Sequence, residues 1–255
     1  MGAKTRLIYD NLWRKGTMGT PSSEDPKHPA TDTQADTRSM YYKALNKTSP
    51  CTVPNDLLTA QEINFVGIID HNFGDIGAGI TIDFQGADDA NFTAPDLVTE
   101  NLTYNVTNIF QFFTAFTRQW VQVKLTKAAG DFTNEPQFAT VICGSYAELN
   151  RRFAPIYEIG EEDFSEGEYS DSQVFFSQEK ETLNIRRYSY QALNDASAIE
   201  VLSMFEECKT IKAFAFCHDH SDPNPNTLWV RNSELISPEC RNGVWYWEMA
   251  IKEVR

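Results

Sequence analysis

Apolar and polar residues alternate with a period of two along much of this chain. The clearest case is Gln119–Thr126 (QWVQVKLT), where Val121, Val123 and Leu125 fall on one face and Trp120, Gln122, Lys124 and Thr126 on the other. Successive side chains of an extended strand point to opposite faces, so the Val–Leu face is the predicted core face. Ile80–Gln85 alternates in the same way, and Glu62–Asp70 (EINFVGIID) reads as a buried strand. Further β-type runs are Leu7–Tyr9, the aromatic stretch 106–117, Phe138–Cys143, Val174–Phe176, Thr182–Tyr190, Ile211–Cys217, Thr227–Arg231 and Val244–Val254. Only Ser197–Glu207 has helical spacing, with Ile199, Leu202, Met204 and Phe205 as its apolar positions.

Turn formers separate these runs. Pro21, Pro26 and Pro29 punctuate the polar stretch 14–40, which therefore reads as an ordered loop with no helix. Gly74, Gly77 and Gly79 mark a turn before Ile80, and GADDANF marks another after Gln85. Many short strands with one helix predict a mainly all-β protein of sandwich or barrel type. The acidic, Gly- and Ser-containing stretch 158–172 reads as a linker or exposed hairpin. It divides the chain into an expected β-sandwich over 1–150 and a smaller, β-rich, barrel-like domain with one helix over 151–255.

Composition narrows the function classes. Hydrophobic residues at 41% and aromatics at 13% suffice for packed cores. A net charge of −14 repels phosphate backbones, so nucleic acid is not an expected partner. No apolar stretch has the length of a bilayer-spanning helix, and the N-terminus (MGAKTRLIYDNLW) lacks a signal core. Arg6 stands where a myristoylation motif needs Ser or Thr. Five cysteines without a CxxC predict free thiols. The sequons at Asn46, Asn91, Asn101 and Asn105 matter only in a secretory context.

Candidate chemistry is sparse. GxSxG, HExxH and phosphate-cradling loops are absent, so no enzyme and no catalytic residue is expected. Cys217, His218, Asp219 and His220, with Cys240 as the remote partner, are the densest set of possible zinc ligands, but no second cluster completes a cage. Asp83, Asp88 and Asp89, with Glu24 and Asp25, are the carboxylates that could supply oxygens to calcium. No metal or cofactor is otherwise expected. His71 and Asn72 at a strand end read either as a ligand contact or as groups that satisfy loop backbone. The aromatics Trp245, Trp247, Phe112 and Phe116 read either as core or as subunit interface.

The order of several segments carries a resemblance. Asn11 followed by TPSSEDPKHPATDTQADTRSMYY, then VGIIDHNFGD with ITIDFQGADD, then RQWVQVKLT with ATVICG, resembles the galactose-binding-like (discoidin-type) jelly rolls of tailed-bacteriophage tail proteins, over about residues 5–145. IRRYSY, SAIEVLSMFEE, AFAFCHD and WYWEMAIKEV resemble the β-barrel domains of phage distal-tail and baseplate proteins. The acidic run Glu161–Glu168 and the loop Asp96–Asn108 fall outside that pattern. The resemblance implies a non-enzymatic structural virion protein of the tail tip or baseplate. Such a protein is made in the host cytoplasm and assembles as a ring or other homo-oligomer with further tail proteins. It also implies occasional calcium binding. The alternative is a carbohydrate-binding module that grips a host surface glycan through His71, Asn72, Asp88 and Asp89.

Overall fold

A computed structural model describes residues 4–150, 157–163, 166–169, 175–178 and 182–254. In chain order the first half holds β1 (Arg6–Ile8), α1 (Leu12–Lys15), β2 (Thr17–Met18), a 3-10 turn (Ala30–Gln34), β3 (Tyr42–Lys43), β4 (Cys51–His71), β5 (Ile80–Ala87), β6 (Val98–Asn101), β7 (Asn108–Lys127), β8 (Gln137–Gly144) and β9 (Ala147–Glu148). The second half holds β10 (Tyr157–Asp163), β11 (Glu166–Tyr169), β12 (Phe175–Gln178), β13 (Thr182–Leu193), α2 (Asp195–Cys208), β14 (Phe214–Cys217), α3 (Pro223–Asn226), β15 (Thr227–Glu234), β16 (Glu239–Arg241) and β17 (Val244–Glu253). The protein is mainly β and its ladders are antiparallel, as expected.

Two long strands make the sandwich. Cys51–Asp56 of β4 pairs with Leu125–Trp120 of β7, while Phe65–Ile69 pairs with Phe112–Asn108. The register shifts between Asp56 and Gln61 and again between Ile63 and Phe65. Such irregularities bend strands, so β4 and β7 turn a corner together. β2, β5 and β6 extend one layer, and β8 and β3 the other. Val53, Val121, Val123 and Leu125 of the first layer meet Val66, Ile68, Ile109 and Val141 of the second in one buried cluster. The predicted core face Val121–Val123–Leu125 is therefore the observed one.

The second half adds a sheet of order β10-β13-β17-β15-β14-β1-β9, with β16 also on β17. Two of its strands, β1 and β9, come from the first 150 residues. This sheet packs on the outside of the sandwich: Phe65, Ile69, Phe110 and Ile142 bury against Ala213, Ala215, Trp229 and Val254. β8 is thus covered on both faces, which explains its continuous burial over FATVICG. Polar locks reinforce the junction. Arg6 lies 3.9 Å from the Tyr146 ring centroid and 4.6 Å from that of Phe112, and pairs with Glu148. Arg14 Nη1 donates to both Asp36 carboxylate oxygens, at 2.8 and 2.9 Å, and Asp36 also accepts the Ala213 N–H at 3.1 Å.

The far face of this sheet carries α2. The Asn194 side chain caps the helix by accepting the Ser197 N–H, and Ala198, Val201, Met204 and Cys208 form its buried stripe. Of the apolar positions read from sequence, Met204 is buried, but Ile199 and Leu202 are 61% and 41% exposed. They belong to the neighbouring stripe, because the sheet contact is set by the 198–201–204–208 face. Other differences follow from local chemistry. The 14–40 loop contains a 3-10 turn at Ala30–Gln34, held by Trp13 Nε1 donating to Thr33 Oγ1 at 2.9 Å. β4 begins at Cys51 and runs through Pro54, whose carbonyl accepts the Gly19 N–H at 2.9 Å just beyond the short edge strand β2. β6 lies inside the expected 96–108 loop. Within 158–172, β10 pairs with β13 and β11 with β12, while Val174 and the remainder of that segment lie outside the described residues.

Candidate functional site

The sandwich has an open cleft where β4 hands over to β5. The connecting loop is pinned from several directions. Asn72 spends both ends of its amide on the facing loop, donating to the Glu135 carbonyl at 2.9 Å and accepting the Gln137 N–H at 2.9 Å. The Ile76 carbonyl accepts the Thr133 N–H at 2.8 Å, and the Ile76 and Phe73 side chains plug into the sandwich core. Gly77 and Gly79 adopt φ of +117° and +73°, the left-handed region that favours glycine. A Cβ at Gly74 would stand 2.6 Å from the Tyr104 hydroxyl, and one at Gly77 2.8 Å from Thr133 Oγ1. Glycine is what keeps this space empty.

The resulting cleft has a volume of about 300 Å³, with Gly74, Gly77 and Gly79 beside Phe73, Ile80 and Tyr104. Tyr104 is 45% exposed, with its hydroxyl close against Gly74. Behind it His71 stacks on Phe73 at 4.3 Å and 12°. His71 Nδ1 accepts the Phe73 N–H at 3.3 Å, so in the neutral ring the proton sits on Nε2. Burial holds its pKa down to about 4, with the nearby Asn105 backbone opposing part of that shift. His71 is thus an uncharged packing group at neutral pH. The Lys127 ammonium, which donates to the Asp131 carbonyl at 2.7 Å, lies at the Gly77 edge of the cleft. An aromatic wall, unshielded loop backbone and a few polar tips suit a small ligand with both apolar and hydroxylated surface.

The four polar residues read from sequence do not converge. His71 and Asn72 support the loop from behind. Asp88 and Asp89 lie past the other end of β5, on the order of 25 Å away at the rise of an extended strand. There Asp88 faces Arg118 at 3.7 Å, and Asp89 accepts the Asn91 N–H at 2.7 Å in a tight turn. The carboxylates considered for calcium are similarly separated: Asp83 accepts from Asn101, and Asp25 from the Lys27 N–H. Among the described residues no group of three or more His, Cys, Asp or Glu side chains is placed to hold a metal. Cys217 is buried in β14, His220 Nδ1 lies 2.9 Å from the Lys4 carbonyl, and Cys240 is exposed on β16.

The aromatic candidates for a subunit interface divide. Trp247 is 2% exposed, stacks on Tyr190 and donates to the Ile236 carbonyl, so it is core. Phe112 packs beneath Arg6 against Tyr146 and belongs to the junction between sandwich and outer sheet. Phe116 stacks on Phe113 at 5.5 Å beside Phe84. Trp245 donates to Asp195 at the start of α2. The residue that the sequence pattern does not single out is Tyr104. Its signal is a lone aromatic in a polar loop facing a glycine triplet, and only the fold brings the two together.

No family model matches this chain, and no curated protein matches it. Among solved structures it is similar to chitosan-binding module 1 of a chitosanase/glucanase from Paenibacillus sp. IK-5, at 19% identity and TM-score 0.43, over 53% of this chain and 98% of that one. It is also similar to a fucose-binding module of Streptococcus pneumoniae, at 15% identity and TM-score 0.43, over 54% and 99%. A third is a family 32 carbohydrate-binding module of Clostridium perfringens in complex with galactose, at 13% identity and TM-score 0.41, over 56% and 99%.

Proposed function

We propose that this protein is a non-catalytic carbohydrate-binding module and that the Tyr104 cleft is its glycan site. The observation that carries this reading is a half-exposed tyrosine ring facing a glycine-floored space whose loop is pinned by the Asn72 amide. An aromatic face packs against the C–H face of a pyranose, while loop backbone, the Tyr104 hydroxyl and Lys127 offer hydrogen bonds to its hydroxyls. The net charge of −14 favours a neutral glycan over a sulfated or sialylated one. A glycan array followed by calorimetry tests the reading. Neutral glycans bind, and Tyr104→Ala weakens binding about tenfold, or about 1.4 kcal/mol. Failure of the wild-type chain to bind any neutral glycan sinks the proposal.

A second reading is a structural role in the phage virion, at a tail tip or baseplate, for a protein made in the host cytoplasm. It rests on the order of the resembling segments along the chain and on three exposed aliphatic side chains at the outer side of the molecule, Ile199, Leu202 and Ile211, the last being 71% exposed. Further copies of this chain, and other tail proteins, would cover them, closing a ring by heterologous contacts. Light scattering on purified protein tests this: a ring-sized species that Ile199→Lys dissolves supports it. A monomer that ignores tail proteins at all concentrations refutes it. The two readings are compatible, since a tail component can also hold a host glycan.

A further inference from the structure

The outer sheet carries a second cleft, of about 320 Å³, that neither the glycan site nor the assembly surface uses. Strand register builds it. The β13–β17 pair places Gln191 opposite Tyr246 and Ser189 opposite Glu248, and the β16–β17 pair places Glu239 opposite Tyr246. Directly opposed residues of an antiparallel ladder share a face. Gln191, Tyr246 and Glu239 therefore form one row across three strands, and Ser189 and Glu248 form the next. Between β15 and β16 the chain leaves the ladder, because Glu234 lies opposite Ala250 while Glu239 lies opposite Tyr246. The excursion 235–238 contributes Ile236 and Ser237 as one wall, which Trp247 Nε1 ties down by donating to the Ile236 carbonyl at 2.8 Å.

The chemistry of this cleft differs from that of the sandwich rim. Tyr246 is 38% exposed and offers an apolar ring face, with the Arg241 guanidinium 5.9 Å from its centroid. Arg241 is neutralised by Glu239 at 2.6 Å. Glu248 adds to the pull of Glu239 on Arg241, and two carboxylates around one guanidinium leave the cleft one net negative charge. Ser189, Gln191 and Ser237 add hydroxyl and amide groups around it. A matching ligand has one cationic centre, several hydroxyls and a flat apolar face. A basic peptide supplies the cation but not the hydroxyls, and a neutral sugar leaves the net negative charge of the cleft unanswered.

We propose that this cleft binds an amine-bearing saccharide, with its ammonium on Glu248 and one ring face on Tyr246. The test is calorimetric titration of the full chain with a β-linked glucosamine oligosaccharide under mildly acidic conditions, beside its N-acetylated counterpart and oligolysine. The glucosamine oligomer is expected to bind. Glu248→Gln and Tyr246→Ala each weaken it about tenfold or more, Tyr104→Ala leaves it unchanged, and added salt weakens it. Both substituted residues are exposed, so unchanged melting curves confirm that the variants fold. No binding, equal binding of the N-acetylated oligomer, stronger binding of oligolysine, or indifference to Glu248→Gln each overturns the proposal. Neutral-glycan binding measured on the same Glu248 and Tyr246 variants reports on the rim cleft separately, so the failure of one site does not obscure the other.

Discussion

The loop end of the sandwich and the C-terminal sheet, on the face opposite α2, leave clefts of similar size, about 300 and 320 Å³, made in opposite ways. The rim cleft is a space that side chains vacate: glycines open it, one tyrosine walls it, and the nearby His71 and Asn72 are consumed in holding the loop. The sheet cleft is a space that side chains fill in rows, each placed by the register of its strand. In a β protein, polar residues beside a turn go first to the turn's own backbone, because buried N–H and C=O groups must be satisfied. Binding groups then come from positions that the turn has no use for.

The largest predicted effect tests whether both regions unfold as one cooperative body. Phe65 is fully buried where the sandwich meets the outer sheet. Phe65→Ala should cost about 3–5 kcal/mol, read as a shift of a single transition in denaturant unfolding. Two separated transitions in the wild-type protein would break the comparison into two independent domains. Next comes Asp36, whose side chain is 15% exposed and binds both Arg14 and the Ala213 N–H. Its position between surface and interior sets the expected loss for Asp36→Ala at about 2 kcal/mol, with glycan binding at the rim unchanged.

A smaller effect concerns pH. His71 has a folded-state pKa of about 4 against an ordinary 6.5, so the unfolded chain binds a proton that the native protein refuses. Its contribution to stability is complete above the ordinary value and is lost as pH falls from there through the folded value. Chemical denaturation across this range should show that slope, and His71→Phe should flatten it. An unchanged slope would mean that the ring is not buried against Phe73. The smallest effect is expected for Asp88→Ala, within about 0.5 kcal/mol in stability and without change in glycan affinity. A large loss of affinity there would move the site to the far end of the sandwich.

Much of this architecture is legible in the amino-acid sequence. Period-two patterns locate β5 and the core face of β7, because each has one buried face, and β14 is legible as a continuous apolar run because it is buried throughout. The corner in β4 is not legible, since Leu57, Leu58, Thr59 and Ala60 include no glycine or proline to mark the register shift between Asp56 and Gln61. Helical spacing locates α2 but misplaces its buried stripe at Ile199 and Leu202, since periodicity alone does not say which of two adjacent stripes faces a sheet. The sites are least legible of all. Asp88 and Asp89 stand out in the sequence as a charged pair, whereas Tyr104 matters through Gly74 and Gly77, which lie far away along the chain.

The central claim is that the Tyr104 cleft holds a sugar. The most direct measurement is an NMR titration of isotopically labelled protein with the best neutral glycan from the array, on the wild type and on Tyr104→Ala. The account predicts shifts concentrated at the amides of Gly74, Gly77 and Gly79 and at Tyr104, and their loss in the variant. Shifts confined to the turn from Asp88 to Asn91, or an undiminished response in Tyr104→Ala, would contradict it.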